Sequence, residues 1–164
     1  MRFAPVAAAL SLILVTTASV TSAGERVPDP RAAQLIALGQ AALKNGDTQG
    51  AIDAFEAAFA VDPAYTPIFL DLAEAARQDG LQGKAIAYYR EALQREPDNF
   101  AAISGEGEAL VERGALDKAQ RNLSRLESLC GTSCPETQAL QQRIAAGPPA
   151  RLAVDSGEEN TVTN

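Results

Sequence analysis

Gly46, Gly80 and Gly114 stand 34 residues apart, and so do Ala51, Ala85 and Ala119. Asp62-Pro63 returns as Glu96-Pro97 at the same step; Phe55, Tyr89 and Leu123 share one phase, and Ala58, Ala92 and Leu126 another. A fixed period of this length means repeated units, each too small to bury its own apolar face, stacked around a shared core. Three windows follow: 32–65, 66–99 and 100–133. A non-repetitive helical bundle has no reason to keep that phase.

Within each window the pattern predicts two helices. "AAQLIALGQAALKNG" places Leu35, Leu38 and Ala42 on one face at spacings of three and four. Asp29 followed by Pro30 is a helix-start signal, and Gly46 is a stop, because glycine takes the left-handed backbone without a side-chain clash. The second helix carries Ala51, Phe55 and Ala58 and ends near Pro63; Thr66-Pro67 then repeats the start signal. Small residues at Gly39, Ala51 and Ala58 let helices approach, and an aromatic such as Phe55 or Tyr89 fills the gap to a neighbour.

The third window departs from this scheme. Glu106 stands where the earlier windows have Leu38 and Leu72, and Leu123 replaces the aromatic. Gly105 and Gly107 fall inside a helix, where each costs about 1 kcal/mol relative to alanine. That cost predicts a bulkier neighbour packed close against the helix. For Glu106 the expectation is a packed methylene stem with the carboxylate reaching water.

Four marks recur in phase: small residues at Gly39, Ala73 and Gly107; alanine at Ala51, Ala85 and Ala119; an aromatic at Phe55 and Tyr89; and proline at Pro63 and Pro97. On these marks, residues 32–133 resemble the tetratricopeptide repeat family. The resemblance implies an all-α, right-handed superhelical solenoid of three helix pairs, with a concave groove lined by the first helix of each pair and used to bind peptides or partner proteins. Carried across by position, the groove residues are Ile36, Gln40, Leu43 and Lys44, then Leu70, Glu74, Arg77 and Gln78, then Ser104, Glu108, Val111 and Glu112. Some members clamp a C-terminal carboxylate with Lys, Asn and Arg. Here Ile36, Gln40 and Asp71 stand in place of Lys, Asn and Asn, and Ala101 and Gly105 in place of Lys and Arg, so that clamp is absent. The groove mixes modest apolar patches with carboxylates, which suits an extended or helical segment with basic and aliphatic residues.

The chain opens on "MRFAPVAAALSLILVTTASVTSA": one basic residue, an uncharged apolar run and a small-residue exit at Thr21-Ser22-Ala23. This is the make-up of a secretory signal, with cleavage expected after Ala23. A retained anchor is the rival, since about 20 apolar residues span a bilayer, but the Thr and Ser cluster at 16–22 argues against it. Periplasmic or secreted localisation follows. Residues 24–31 read as a linker and 147–164 as a disordered acidic tail. Removing Arg2 leaves 13 basic against 21 acidic side chains, a net charge of −8. That sign opposes phosphate backbones and anionic lipid, so nucleic acid is a poor partner.

The two cysteines, Cys130 and Cys134, lie between the last repeat helix and a predicted capping helix over 134–146. Ser133 and Glu136 have capping-box spacing, and Thr137, Leu140 and Ile144 form a narrow apolar stripe. Zinc needs about four ligands, and the chain has neither histidine nor a third cysteine. In an oxidising compartment the pair reads as a disulfide staple. Small exported tetratricopeptide proteins of Gram-negative bacteria look similar, including such a late pair. A thiol–disulfide participant using Cys130 and Cys134 is the alternative, although the three-residue spacing and lack of predicted strands fit it poorly.

Catalysis has little to draw on. The commonest general base, histidine, is missing, and there is no glycine-rich phosphate loop or metal-ligand spacing. Glu108 and Glu112, one turn apart, read as a solvated acidic face. No cofactor is implied. The function expected is a non-enzymatic exported interaction module, an adaptor or assembly factor of the cell envelope; a homo-oligomer built through exposed repeat ends is a further possibility.

Overall fold

The computed structural model describes residues 26–149; the signal-like segment and residues 150–164 of the tail lie outside the described residues. Seven helices are found among the described residues: α1 (Pro30–Lys44), α2 (Thr48–Val61), α3 (Pro67–Gln78), α4 (Gln82–Arg95), α5 (Phe100–Glu112), α6 (Leu116–Cys130) and α7 (Pro135–Ala146). None of them is long and apolar enough to cross a membrane.

The periodic glycines set the turn inside each pair. Gly46, Gly80 and Gly114 have φ of 78°, 77° and 80°. In each case the glycine N–H donates three residues back, to the carbonyls of Leu43, Arg77 and Val111. The next residue's N–H reaches back five, from Asp47 to Ala42, Leu81 to Ala76 and Ala115 to Leu110. This 6→1 with 5→2 bonding satisfies carbonyls that a helix end leaves bare.

Helix starts are less uniform. Asp29, Asp47 and Asn99 cap α1, α2 and α5 through side-chain oxygens that accept from Arg31, Gly50 and Ala102 N–H. Thr66 precedes Pro67 as expected, yet its hydroxyl makes no capping bond. The capping box expected at Ser133 does not form: Cys134 is the N-cap of α7, extended at φ −63° and ψ 135°. The cause is Pro135, whose ring disfavours helical backbone in the residue before it and so places the boundary at Cys134.

Each pair packs internally, α2 packs on α3 and α4 on α5, and α1, α3, α5 and α7 also touch in succession. The result is an all-α solenoid. Its core is built by matching large residues to missing ones. Phe55 fills the space a Cβ on Gly39 would occupy, the Tyr89 ring lies against Gly105, and Leu140 of α7 sits on Gly107. The bulky neighbours predicted for α5 are thus Tyr89 and Leu140. Leu140 is fully buried with Ile103 and Leu126, so α7 covers the apolar face that α5 and α6 leave open.

Two further expectations fail. Leu38 does not share a buried face with Leu35 and Ala42; it is 62% exposed. Leu72, at the same phase, is only 2% exposed and packs in the cluster with Ala51, Ile52 and Phe55. This phase faces the preceding unit, and no described helix precedes α1. Glu106, again at that phase, is largely shut off from water. It is buried, with Oε1 accepting from Arg90 Nε at 2.7 Å and Oε2 from Asn122 Nδ2 at 3.1 Å. A carboxylate held against α4 must be paired, and Arg90 supplies the charge.

Candidate peptide-binding groove

The contact of α1, α3, α5 and α7 in succession makes one continuous face. On a helix, positions i, i+4 and i+7 or i+8 share a side, which aligns Ile36, Gln40, Leu43 and Lys44 on α1 with Leu70, Glu74, Arg77 and Gln78 on α3. At the N-terminal end, Gln40, Leu43 and Lys44 join Gln78 around a hollow of about 210 Å³. Ile36 and Leu70 do not line it; they are half-buried and pack against the core. Beside Gln40, whose amide donates to its Oδ1 at 3.5 Å, Asp71 is a carboxylate raised above the usual range by burial, with that hydrogen bond pulling the other way.

Arg77 occupies the middle of the groove. Its guanidinium lies 3.3 Å from Glu74, 2.9 Å from Glu108 and 3.2 Å from Glu112, and Arg143 of α7 holds Glu112 from the other side at 3.3 Å. Burial works against the Arg77 charge, but the carboxylates outweigh it and raise its pKa well above the ordinary value. Glu108 and Glu112 are therefore not a solvated face. They are two arms of an ion network that ties α3, α5 and α7 together.

Beyond Arg77 a larger hollow of about 450 Å³ opens between α3, α5 and α7, lined by Glu74, Arg77, Tyr89, Ala101, Ser104, Gly105, Glu108, Pro135, Glu136 and Ala139. Tyr89 belongs to α4 but reaches this wall because Gly105 has no side chain to cover it. Its phenol is pushed up to about 12 by burial, with Arg77 pulling the other way. Ser104 is buried and donates to the Glu136 carbonyl at 3.1 Å, pinning α5 to α7.

Val111 does not belong to this surface. It is fully buried in the cluster with Leu110 and Tyr89, because α5 is packed by neighbours on both sides and only its Glu108–Glu112 edge reaches the groove. Reading the sequence also missed Tyr89, Arg143 and Glu136. Arg143 and Glu136 lie on α7, read only as a cap; the signal for Tyr89 was Gly105 inside α5, which called for a bulky neighbour without saying which.

Cys130 and Cys134 stand paired with their Cα atoms 5.7 Å apart, joining the end of α6 to the first residue before α7. The Cys130–Cys134 bridge thus fixes the helix that supplies one wall of the larger hollow. Among the described residues no group of His, Cys, Asp and Glu is arranged to hold a metal ion.

Two tetratricopeptide repeat models match the chain, over residues 36–100 and 76–144. No curated protein matches it. Among solved structures, the first tetratricopeptide domain of Spaghetti (RPAP3), bound to the HSP90 peptide SRMEEVD, is similar at 22% identity and a TM-score of 0.64; the match covers 73% of this chain and 98% of that one. The Sgt2 domain from Aspergillus fumigatus matches at 21% identity and 0.65, covering 84% of this chain and 90% of that one. The type III secretion chaperone SycD of Yersinia enterocolitica, in complex with a peptide of the translocator YopD, matches at 22% and 0.60, covering 77% and 94%. Likeness at this identity speaks to the fold, and it agrees with the two family matches: residues 36–144 are tetratricopeptide repeats, and the chain belongs to that family.

Proposed function

We propose that the protein is a non-enzymatic binding module that holds a segment of a partner protein in the groove along α1, α3, α5 and α7. The observation that carries this reading is the groove itself: two hollows on one face, separated by the Arg77 network, with polar and apolar walls open to solvent. Similar structures hold peptides, which supports the same use here. The peptide in the Spaghetti complex is acidic at its end, and a groove rich in carboxylates disfavours that kind of ligand. The module acts in the cell envelope as an exported adaptor or assembly factor, following cleavage of the signal-like segment near Ala23. Cys130 and Cys134 serve it as a staple rather than an exchange centre.

A photo-crosslinker placed at Gln78 in the groove, and separately at Gln120 on the exposed side of α6, tests this in envelope preparations. The groove position is expected to give a defined adduct that the α6 position does not. The combined variant Leu70→Ala, Glu74→Ala and Glu108→Ala should lose that adduct while its helical circular dichroism is kept. An adduct unchanged by the triple substitution removes the groove from consideration.

A further inference from the structure

We propose that the hollow between α3, α5 and α7 receives a lysine or arginine side chain of the bound segment. This inference rests on the groove reading and adds which chemistry it selects. The charges around the hollow do not balance. Three carboxylates, on Glu74, Glu108 and Glu136, line it with a single guanidinium, on Arg77. Arg77 is shared between Glu74 and Glu108 and, outside the hollow, Glu112 as well. Apart from Arg77, Glu108 Oε1 has only the Ser104 hydroxyl at 3.4 Å, whose proton is already directed at the Glu136 carbonyl, and Glu74 Oε1 has the neutral Gln78 amide at 3.0 Å. An arriving ammonium or guanidinium gains what these neutral groups do not supply, and an arriving carboxylate meets repulsion from Glu74, Glu108 and Glu136.

The walls suit the rest of such a side chain. Tyr89, bared by Gly105, together with Ala101 and Ala139, offers apolar surface along which a methylene stem can lie while its charged end reaches Glu74 and Glu108. Arg77 holds these carboxylates in place before the ligand arrives, so little side-chain ordering is left to binding.

The test uses the oxidised, isotope-labelled chain 24–164 and nonapeptides of alanine and leucine with blocked ends, whose central residue is lysine, arginine, norleucine or glutamate. Binding is followed at the backbone amides of α1, α3 and α5. Lysine and arginine peptides are expected to shift the Gly105 amide and to bind about tenfold tighter than the norleucine peptide, the preference shrinking as salt is raised. Glu74→Gln with Glu108→Gln should cut that preference severalfold. Ala101→Leu, a neutral plug at an exposed helical position, should remove the Gly105 shift for every peptide. Equal affinity for lysine and norleucine peptides, or shifts along α1 and α3 that leave Gly105 unmoved, overturns the cation inference and leaves the groove intact. No shift on α1, α3 or α5 with any peptide overturns both.

Discussion

Glu106 and Tyr89 each place an ionisable group against the core, and each gives a sharp test. Glu106 is buried, whereas its partner Arg90 is 55% exposed at the side chain. Removing one or the other is therefore unequal. Arg90→Ala leaves a carboxylate in the interior with only Asn122 beside it, and roughly 1–3 kcal/mol of unfolding free energy should be lost. Glu106→Leu restores the residue that the first two windows carry at this phase and frees Arg90 to water. Its stability is expected to stay within about 1 kcal/mol of the parent, in either direction. Denaturant titration decides; equal losses would mean the pair is not the reason Glu106 tolerates its place. For Tyr89, burial raises the phenol from its ordinary 10 to about 12. A raised folded pKa gives a contribution that is whole below about 10 and vanishes as pH climbs through about 12. Between these limits the parent should lose roughly 2 kcal/mol more than Tyr89→Phe. Matching declines would show that another group titrates.

At the scale of elements, α7 carries more than its sequence announces. Its stripe of Thr137, Leu140 and Ile144 was legible from spacing, and Thr137 and Leu140 are fully buried. Its place in the groove was not legible, because that depends on how α7 lies across α5, a tertiary fact that no local pattern encodes. The glycines inside α5 were the nearest clue: they cost helix stability, so something had to be gained, and the gain is contact with Tyr89 and Leu140. The Cys130–Cys134 bridge closes a very short loop, and chain-entropy arithmetic gives it about 2 kcal/mol. Replacing both cysteines with serine should therefore lower stability by about that amount. Hydrogen exchange should quicken first in α7, ahead of α3 and α4. The same variant should weaken whatever the larger hollow binds, since Pro135, Glu136 and Ala139 form one of its walls. Exchange that quickens evenly over all helices would mean that the bridge acts only by restricting the unfolded chain and does not hold the cap in place.

Over the whole molecule, a stack of repeats makes stability depend on neighbours, so one phase can have different consequences in different units. Leu38, Leu72 and Glu106 stand 34 residues apart. The period revealed that they correspond, and it hid that they differ: Leu72 has α2 to pack against, Glu106 has Arg90 of α4, and Leu38 has no preceding helix among the described residues. The same substitution at two of these positions separates position in the stack from residue type. Leu72→Gln strips a buried side chain from the α2–α3 interface and strands an amide there, and should cost more than about 3 kcal/mol. Leu38→Gln trades one exposed side chain for another and should change stability by no more than about 0.5 kcal/mol. Urea midpoints of the two variants, measured on the chain from residue 24, make the comparison. If Leu38→Gln falls as far as Leu72→Gln, the outer face of α1 is covered in the folded protein and the stack begins before α1.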